Sequence, residues 1–154
     1  MAREPLYTAR AHVTGGRTEG HGRTSDGLLE VDLRPPPESG GEGGGTNPEQ
    51  LFAVGFAACF ESALGAVARR QRIDAGDVAI DSQVSLIPTE DRRYVLGVVL
   101  DVTLPSVDDP EQAIALVAAA HQVCPYSNAT RGNIEVSLSA NGHGIEETSG
   151  SVAA

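Results

Sequence analysis

The chain has 154 residues, of which 40% are apolar and 21% charged, a length and balance suited to one ordinary domain with a normal core. Its 21 acidic against 11 basic residues leave a formal net charge of −10, and every cation is Arg. A surface this acidic repels phosphate backbones and anionic lipid, which excludes nucleic acid and membrane surfaces as expected partners. There is no Trp, and only three Phe and three Tyr, so the core must be mainly aliphatic. The longest uncharged apolar run, residues 51–60, is about half a membrane span. The opening MAREPLY lacks the apolar region of a signal peptide, and the expected location is cytoplasmic. The two cysteines, Cys59 and Cys124, are too few for a disulfide scaffold or a four-thiolate zinc site. In a reducing compartment such a pair is either inert or catalytic.

The first strand is expected where Tyr7, Ala9, Ala11 and Val13 alternate. Residues 14–27 are polar and Gly-rich and read as a long loop. Leu29, Val31 and Leu33 form the return strand, completing a hairpin. Pro35, Pro36 and Pro37 stop the sheet. The segment ESGGEGGG, residues 38–45, reads as a connector; it lacks the Lys-Ser/Thr ending and closely preceding strand of a phosphate loop. Asn47 suits an N-cap, Pro48 the first helical position and Glu49 the positive helix end. The helix should reach about Arg72. Over residues 51–60 it is apolar on every face, so burial all round is expected, with a second subunit completing it.

Two further strands follow, one carrying Val78, Ile80, Val84 and Leu86, the other Leu96, Val98, Leu100, Val102 and Leu104. Residues 88–91 turn between them. Asp109-Pro110-Glu111 opens a second helix with Ile114, Val117, Ala118 and His121 on one face, ending near Cys124-Pro125. Ile134, Val136 and Leu138 mark a last strand. The expected order is ββ-α-ββ-α-β, an α+β fold of antiparallel hairpins, with one domain over residues 1–142 and a flexible tail over 143–154.

A thiol attacks as the thiolate, which needs a nearby cation or a helix N-terminus. Cys124 falls at the negative end of its helix. Cys59 lies too deep in its helix to feel the N-terminus, and apolar neighbours raise its pKa. It becomes reactive only if an Arg reaches it from another segment. Glu49 and Cys59 stand roughly 15 Å apart along one helix. A single site holding both therefore needs a bridging arginine loop or, as we favour, Glu49 from a second protomer. His121 and Cys124 are spaced like a metal pair, but no matching pair exists, and no metal is expected. Arg131 is a candidate to assist the site, but reads first as a surface or strand-entry ion pair.

The segments GTNPEQLFAVGFAACF (residues 45–60) and VCPYSNATRGNIEV (residues 123–136) closely resemble the two signature segments of the Ohr branch of the OsmC/Ohr family, the organic hydroperoxide resistance proteins. TGGR, ending at Arg17, and SDGLLEVDL resemble the family's N-terminal segment. The resemblance spans about residues 7–142. It implies an intertwined homodimer in which hairpins wrap two long central helices, with active sites at the subunit boundary. It also implies a thiol peroxidase. By motif position Cys59 is the peroxidatic nucleophile, Cys124 the resolving thiol, and Arg17 and Glu49 the pair that steadies the thiolate. On this reading Cys59 attacks an organic hydroperoxide, an alcohol leaves, and the sulfenic acid condenses with Cys124. An external dithiol, dihydrolipoamide or a lipoylated protein, then reopens the disulfide; no bound cofactor is implied. Leu51, Phe52, Phe56 and Tyr126 are the candidate substrate contacts, and Phe60 lies nearby. An apolar lining favours alkyl, aryl and fatty-acid hydroperoxides, since burying their chains gains roughly 0.8 kcal/mol per methylene. A dimer that senses redox state or carries lipid without catalysis is the alternative reading.

Overall fold

The computed structural model describes residues 3–146. The chain divides into two compact units between Leu51 and Phe52. The first holds strands β1 (Ala11–Thr14), β2 (Gly20–Thr24) and β3 (Glu30–Leu33), an antiparallel sheet in that order. A 3-10 turn follows at Pro37–Ser39. Helix α1 (Pro48–Gln71) starts at the end of this unit and continues into the second. There it is joined by β4 (Ala79–Pro88), β5 (Tyr94–Thr103), α2 (Pro110–Val123), α3 (Pro125–Thr130), β6 (Glu135–Ala140) and β7 (His143–Ile145). The second sheet runs β4-β5-β6-β7. The architecture is mixed α+β, as expected.

Four features of the strands depart from the expected outline. The first strand begins at Ala11, and Tyr7 lies outside it, exposed. The expected loop contains β2, whose sequence GHGRT has no apolar alternation. It forms because both its edges are hydrogen-bonded, Val13 and Val31 flanking Gly22 in register. The pairing of β5 with β6 is parallel, not a hairpin, because α2 and α3 carry the chain back across the sheet. Finally, residues 143–145 of the expected tail form β7, paired with β6; residues 147–154 lie outside the described residues.

Helix starts follow their local chemistry. The Asn47 side chain accepts from the Gln50 backbone N–H at 2.8 Å, and that of Asp109 accepts from Glu111 at 3.1 Å, each satisfying an amide that has no helical partner. In the second unit α1 buries Phe56, Phe60, Ala63, Leu64 and Val67, a spacing of three and four that forms one stripe. The stripe shares a core with Val98, Leu100 and Val102 of β5, Leu116, Val117 and Ala120 of α2, and Val136 and Leu138 of β6. Burial all round is not reached within one chain: Val54 is 72% exposed and Ala58 is exposed. By length and a mean hydropathy of 1.8, α1 is the one helix among the described residues long and apolar enough to cross a membrane, more than its ten-residue run implied. Glu49, Glu61, Arg69 and Arg70 interrupt its surface.

The β6–β7 corner rests on Asn141, which adopts φ 48°. Its Oδ1 accepts from the Leu104 N–H at 2.7 Å, and its Nδ2 donates to the carbonyls of Leu104 and Val107 at 3.2 and 3.1 Å. Asn is among the few residues that tolerate this backbone while bonding locally. Asn141→Ala is expected to lose about 3 kcal/mol or more in urea denaturation, and Asn141→Gly about 1 kcal/mol less than that, since glycine relieves the backbone but not the lost hydrogen bonds.

Candidate functional site

In the first unit, Gly15 and Gly16 turn the chain with φ 74° and 59°. A Cβ on Gly15 would lie 2.2 Å from the Glu19 carbonyl oxygen, so the turn admits no side chain there. The turn presents Arg17, whose Nη1 and Nη2 donate to the Glu49 carboxylate at 3.2 and 3.0 Å. Two parallel bonds fix the guanidinium plane as one could not. Burial acts to raise the Glu49 pKa, but the Arg17 hydrogen bonds, a backbone amide and the Arg17 charge together outweigh it, and the net shift is downward.

The same sheet keeps its polar residues on one face. His21 of β2 lies opposite Asp32 of β3. Its ring nitrogens stand 2.9 Å from Asp32 and 3.1 Å from Glu30, and these hydrogen bonds raise its pKa. A cleft of about 510 Å³ on that sheet is lined by Arg10, His12, His21, Arg23 and Glu30 among others, and by neither cysteine.

In the second unit, Cys59 is partly buried on α1, and Cys124 is fully buried between α2 and α3. No disulfide joins them. Burial pushes the Cys59 thiol above its ordinary pKa, opposed by a hydrogen bond from the Tyr126 backbone N–H, while Cys124 raises it further. The two sulfurs are therefore neighbours, and α3 supplies an amide to one of them through Tyr126. The Ser127 N–H serves the other, donating to Cys124 Sγ at 3.5 Å. Cys124 is thus more than the last residue of α2. It is also the N-cap of α3, with extended backbone at φ −61°, ψ 123°. From sequence alone only the negative end of α2 is visible there.

Three of the four candidate substrate contacts meet. The rings of Phe52, Phe56 and Tyr126 form a triangle with centroid separations of 5.7 to 5.8 Å. Gly55 makes this possible, since a Cβ there would sit 3.1 Å from the Tyr126 hydroxyl. Phe56 is fully buried in the core, whereas Tyr126 is 38% exposed and Phe52 partly buried. Leu51 is half-buried at the end of the first unit, and Phe60 is core. The structure thus brings Arg17 to Glu49 in one unit, and Cys59 to Cys124 with the aromatic triangle in the other.

Sequence reasoning missed the polar corner behind Cys124. His121 Nδ1 lies 2.8 Å from Ser127 Oγ, both buried. Arg131 donates to Asn128 at 2.8 Å and to the His121 carbonyl, tying α3 to α2 instead of forming the expected ion pair. The available signal was Pro125 directly after Cys124, the same cap-then-proline pattern that opens α1 and α2. Among the described residues no cluster of three or more His, Cys, Asp or Glu could hold a metal ion.

A family model described as OsmC-like protein matches residues 41–139. An organic hydroperoxide resistance protein of Xanthomonas axonopodis pv. citri (strain 306) is 52% identical over 137 residues, covering 86% of this chain and 93% of the relative. The crystal structure of an organic hydroperoxide resistance protein from Legionella pneumophila superposes with a TM-score of 0.83 at 54% identity, covering 88% of this chain and 97% of that one. The structure of OhrB of Bacillus subtilis gives 0.80 at 47% identity, with 88% and 98% covered.

Because the Glu49 pKa is lowered in the folded chain, the Arg17 pair contributes stability above the ordinary glutamate pKa and loses it as pH falls through the lower folded value. Following the Glu49 carboxyl by NMR should show its midpoint rise in Arg17→Ala. An unchanged midpoint would mean that the pair does not form in solution.

Proposed function

Because the chain belongs to the OsmC-like family, within its organic hydroperoxide resistance branch, we propose that it is a cysteine-based peroxidase that reduces organic hydroperoxides to alcohols and so protects against organic peroxide stress. One observation carries this reading: Cys59 and Cys124 are neighbours, and each sulfur faces an amide from the start of α3. A hydrogen bond to a thiolate favours the ionised sulfur, which enlarges the fraction able to attack and makes it a better leaving group.

The Cys59 thiolate attacks the outer peroxide oxygen and breaks the O–O bond. The alkoxide leaves as alcohol after taking a proton, and Cys59 keeps the oxygen as sulfenic acid. Cys124 closes the disulfide with loss of water. An external dithiol, dihydrolipoamide or a lipoylated protein, reduces it by exchange. Arg17, held flat by Glu49, is the cation we assign to offset the burial of Cys59. Phe52 and Tyr126, with Leu51 and Phe56, are assigned to the apolar part of the substrate, which favours alkyl, aryl and fatty-acid hydroperoxides over hydrogen peroxide. We read the working species as a homodimer that covers the exposed side of α1, and α1 as a core helix of a cytoplasmic protein. The acidic surface remains the reason for excluding nucleic acid and membrane partners.

Steady-state consumption of cumene hydroperoxide with dihydrolipoamide tests the reading. Cys59→Ser should abolish turnover, and Cys124→Ser should allow a single stoichiometric oxidation. A wild-type protein that oxidises once and then stops would be a sensor instead. The role of Arg17 is checked separately. The pH midpoint for alkylation of Cys59 should move upward by about one pH unit in Arg17→Ala, and an unmoved midpoint removes the residue from that role.

A further inference from the structure

The resolving cysteine sits in a corner whose polar groups have no part in the chemistry described above. Cys124 Sγ accepts from the Ser127 N–H at 3.5 Å. Ser127 is fully buried, and its hydroxyl lies 2.8 Å from His121 Nδ1, on the last turn of α2. His121 is itself buried and packs against the Phe60 ring at a centroid distance of 6.4 Å. Its carbonyl accepts from Arg131, whose guanidinium also bonds Asn128. The corner is closed on the α3 side by Thr130, which donates to the Tyr126 carbonyl at 2.9 Å. Buried polar groups are costly unless satisfied. An aliphatic corner would be simpler if α2 and α3 needed only to pack.

We propose that His121 and Ser127 are positioning residues for the resolving step: their hydrogen bond fixes the α2–α3 corner, so that the Ser127 N–H holds Cys124 Sγ in line with the Cys59 sulfur. The proposal rests on the peroxidase reading and deepens it. In that step the Cys124 sulfur attacks the Cys59 sulfenic sulfur. An S–S bond forms and the S–O bond breaks, and the departing hydroxide takes the Cys124 proton to leave as water. Cys124 is oxidised and the Cys59 sulfur reduced by the same amount. The geometry required is narrow, because the attack must run along the S–O bond. The same N–H favours Cys124 as leaving group when an external dithiol attacks Cys59 in the disulfide.

The experiment separates the two chemical steps. Reduced protein is mixed with one equivalent of cumene hydroperoxide, and the sulfenic acid is followed by dimedone capture and mass spectrometry. In Ser127→Ala the loss of the Cys59 thiol should keep its wild-type rate. Condensation should slow about tenfold, equivalent to about 1.4 kcal/mol, so dimedone adduct accumulates and excess peroxide drives Cys59 on to sulfinic acid. Ser127→Thr, which keeps the hydroxyl, should restore condensation, and His121→Phe, which keeps a ring without the hydrogen bond, should repeat the defect. A merely structural role would slow both steps together. Wild-type condensation in folded Ser127→Ala and His121→Phe overturns the proposal. If Ser127→Ala does not fold, His121→Phe alone decides. Failure of the wild type to form the Cys59–Cys124 disulfide at all overturns the parent reading instead.

Discussion

Two backbone amides at the start of a six-residue helix face two sulfurs, and side chains of α2, α3 and Arg131 hold that helix in place. The helix α3 cannot be stable alone at that length. It is held from behind by Arg131 and Asn128, from within by Thr130, and from α2 by His121. Cys124 joins the two helices, closing α2 through its N–H to Ala120 at 2.8 Å and opening α3 through its sulfur. One residue thus serves as the C-cap of α2 and the N-cap of α3. Such an economy leaves little freedom to move the sulfur without moving both helices.

The environment of Cys59 sets the electrostatic problem. Burial alone makes it a poor thiolate, and a neighbouring thiol does not help. One amide compensates in part. In the first unit, Arg17 and Glu49 form a tie of a different kind. A bidentate pair carries no net charge, so its value lies in direction and not in field strength. A guanidinium that is locked flat can present its outer edge to an anion without reorganising.

Legibility from the sequence followed the kind of signal. The starts of α1 and α2 were plain, because capping side chain, proline and glutamate stand in fixed order. The strands β4 and β5 were plain, because alternation survives wherever one face meets a core. What failed had no apolar trace. β2 is a strand through its hydrogen bonds, with two glycines and no aliphatic residue. β7 is three residues long and mostly exposed. The α3 helix is hidden because a proline after α2 reads as a stop, although Pro48 and Pro110 stand at the first position of α1 and α2. Sulfur is an unusual cap, and without it in mind Ser127 and His121 had no reason to draw notice. Arg17 and Glu49 could be paired only through the resemblance, since 32 residues separate them and no periodicity links a turn to a helix end.

The His21 bridge between β2 and β3 has a consequence of opposite sense to the Arg17 tie. A histidine held above its ordinary pKa by carboxylates strengthens its sheet while it is protonated, and that help fades as solution turns alkaline. The glutamate tie fades in the other direction. Both ties are present together in mildly acidic water, where imidazolium and carboxylates coexist, and the His21 tie is the one lost as pH rises.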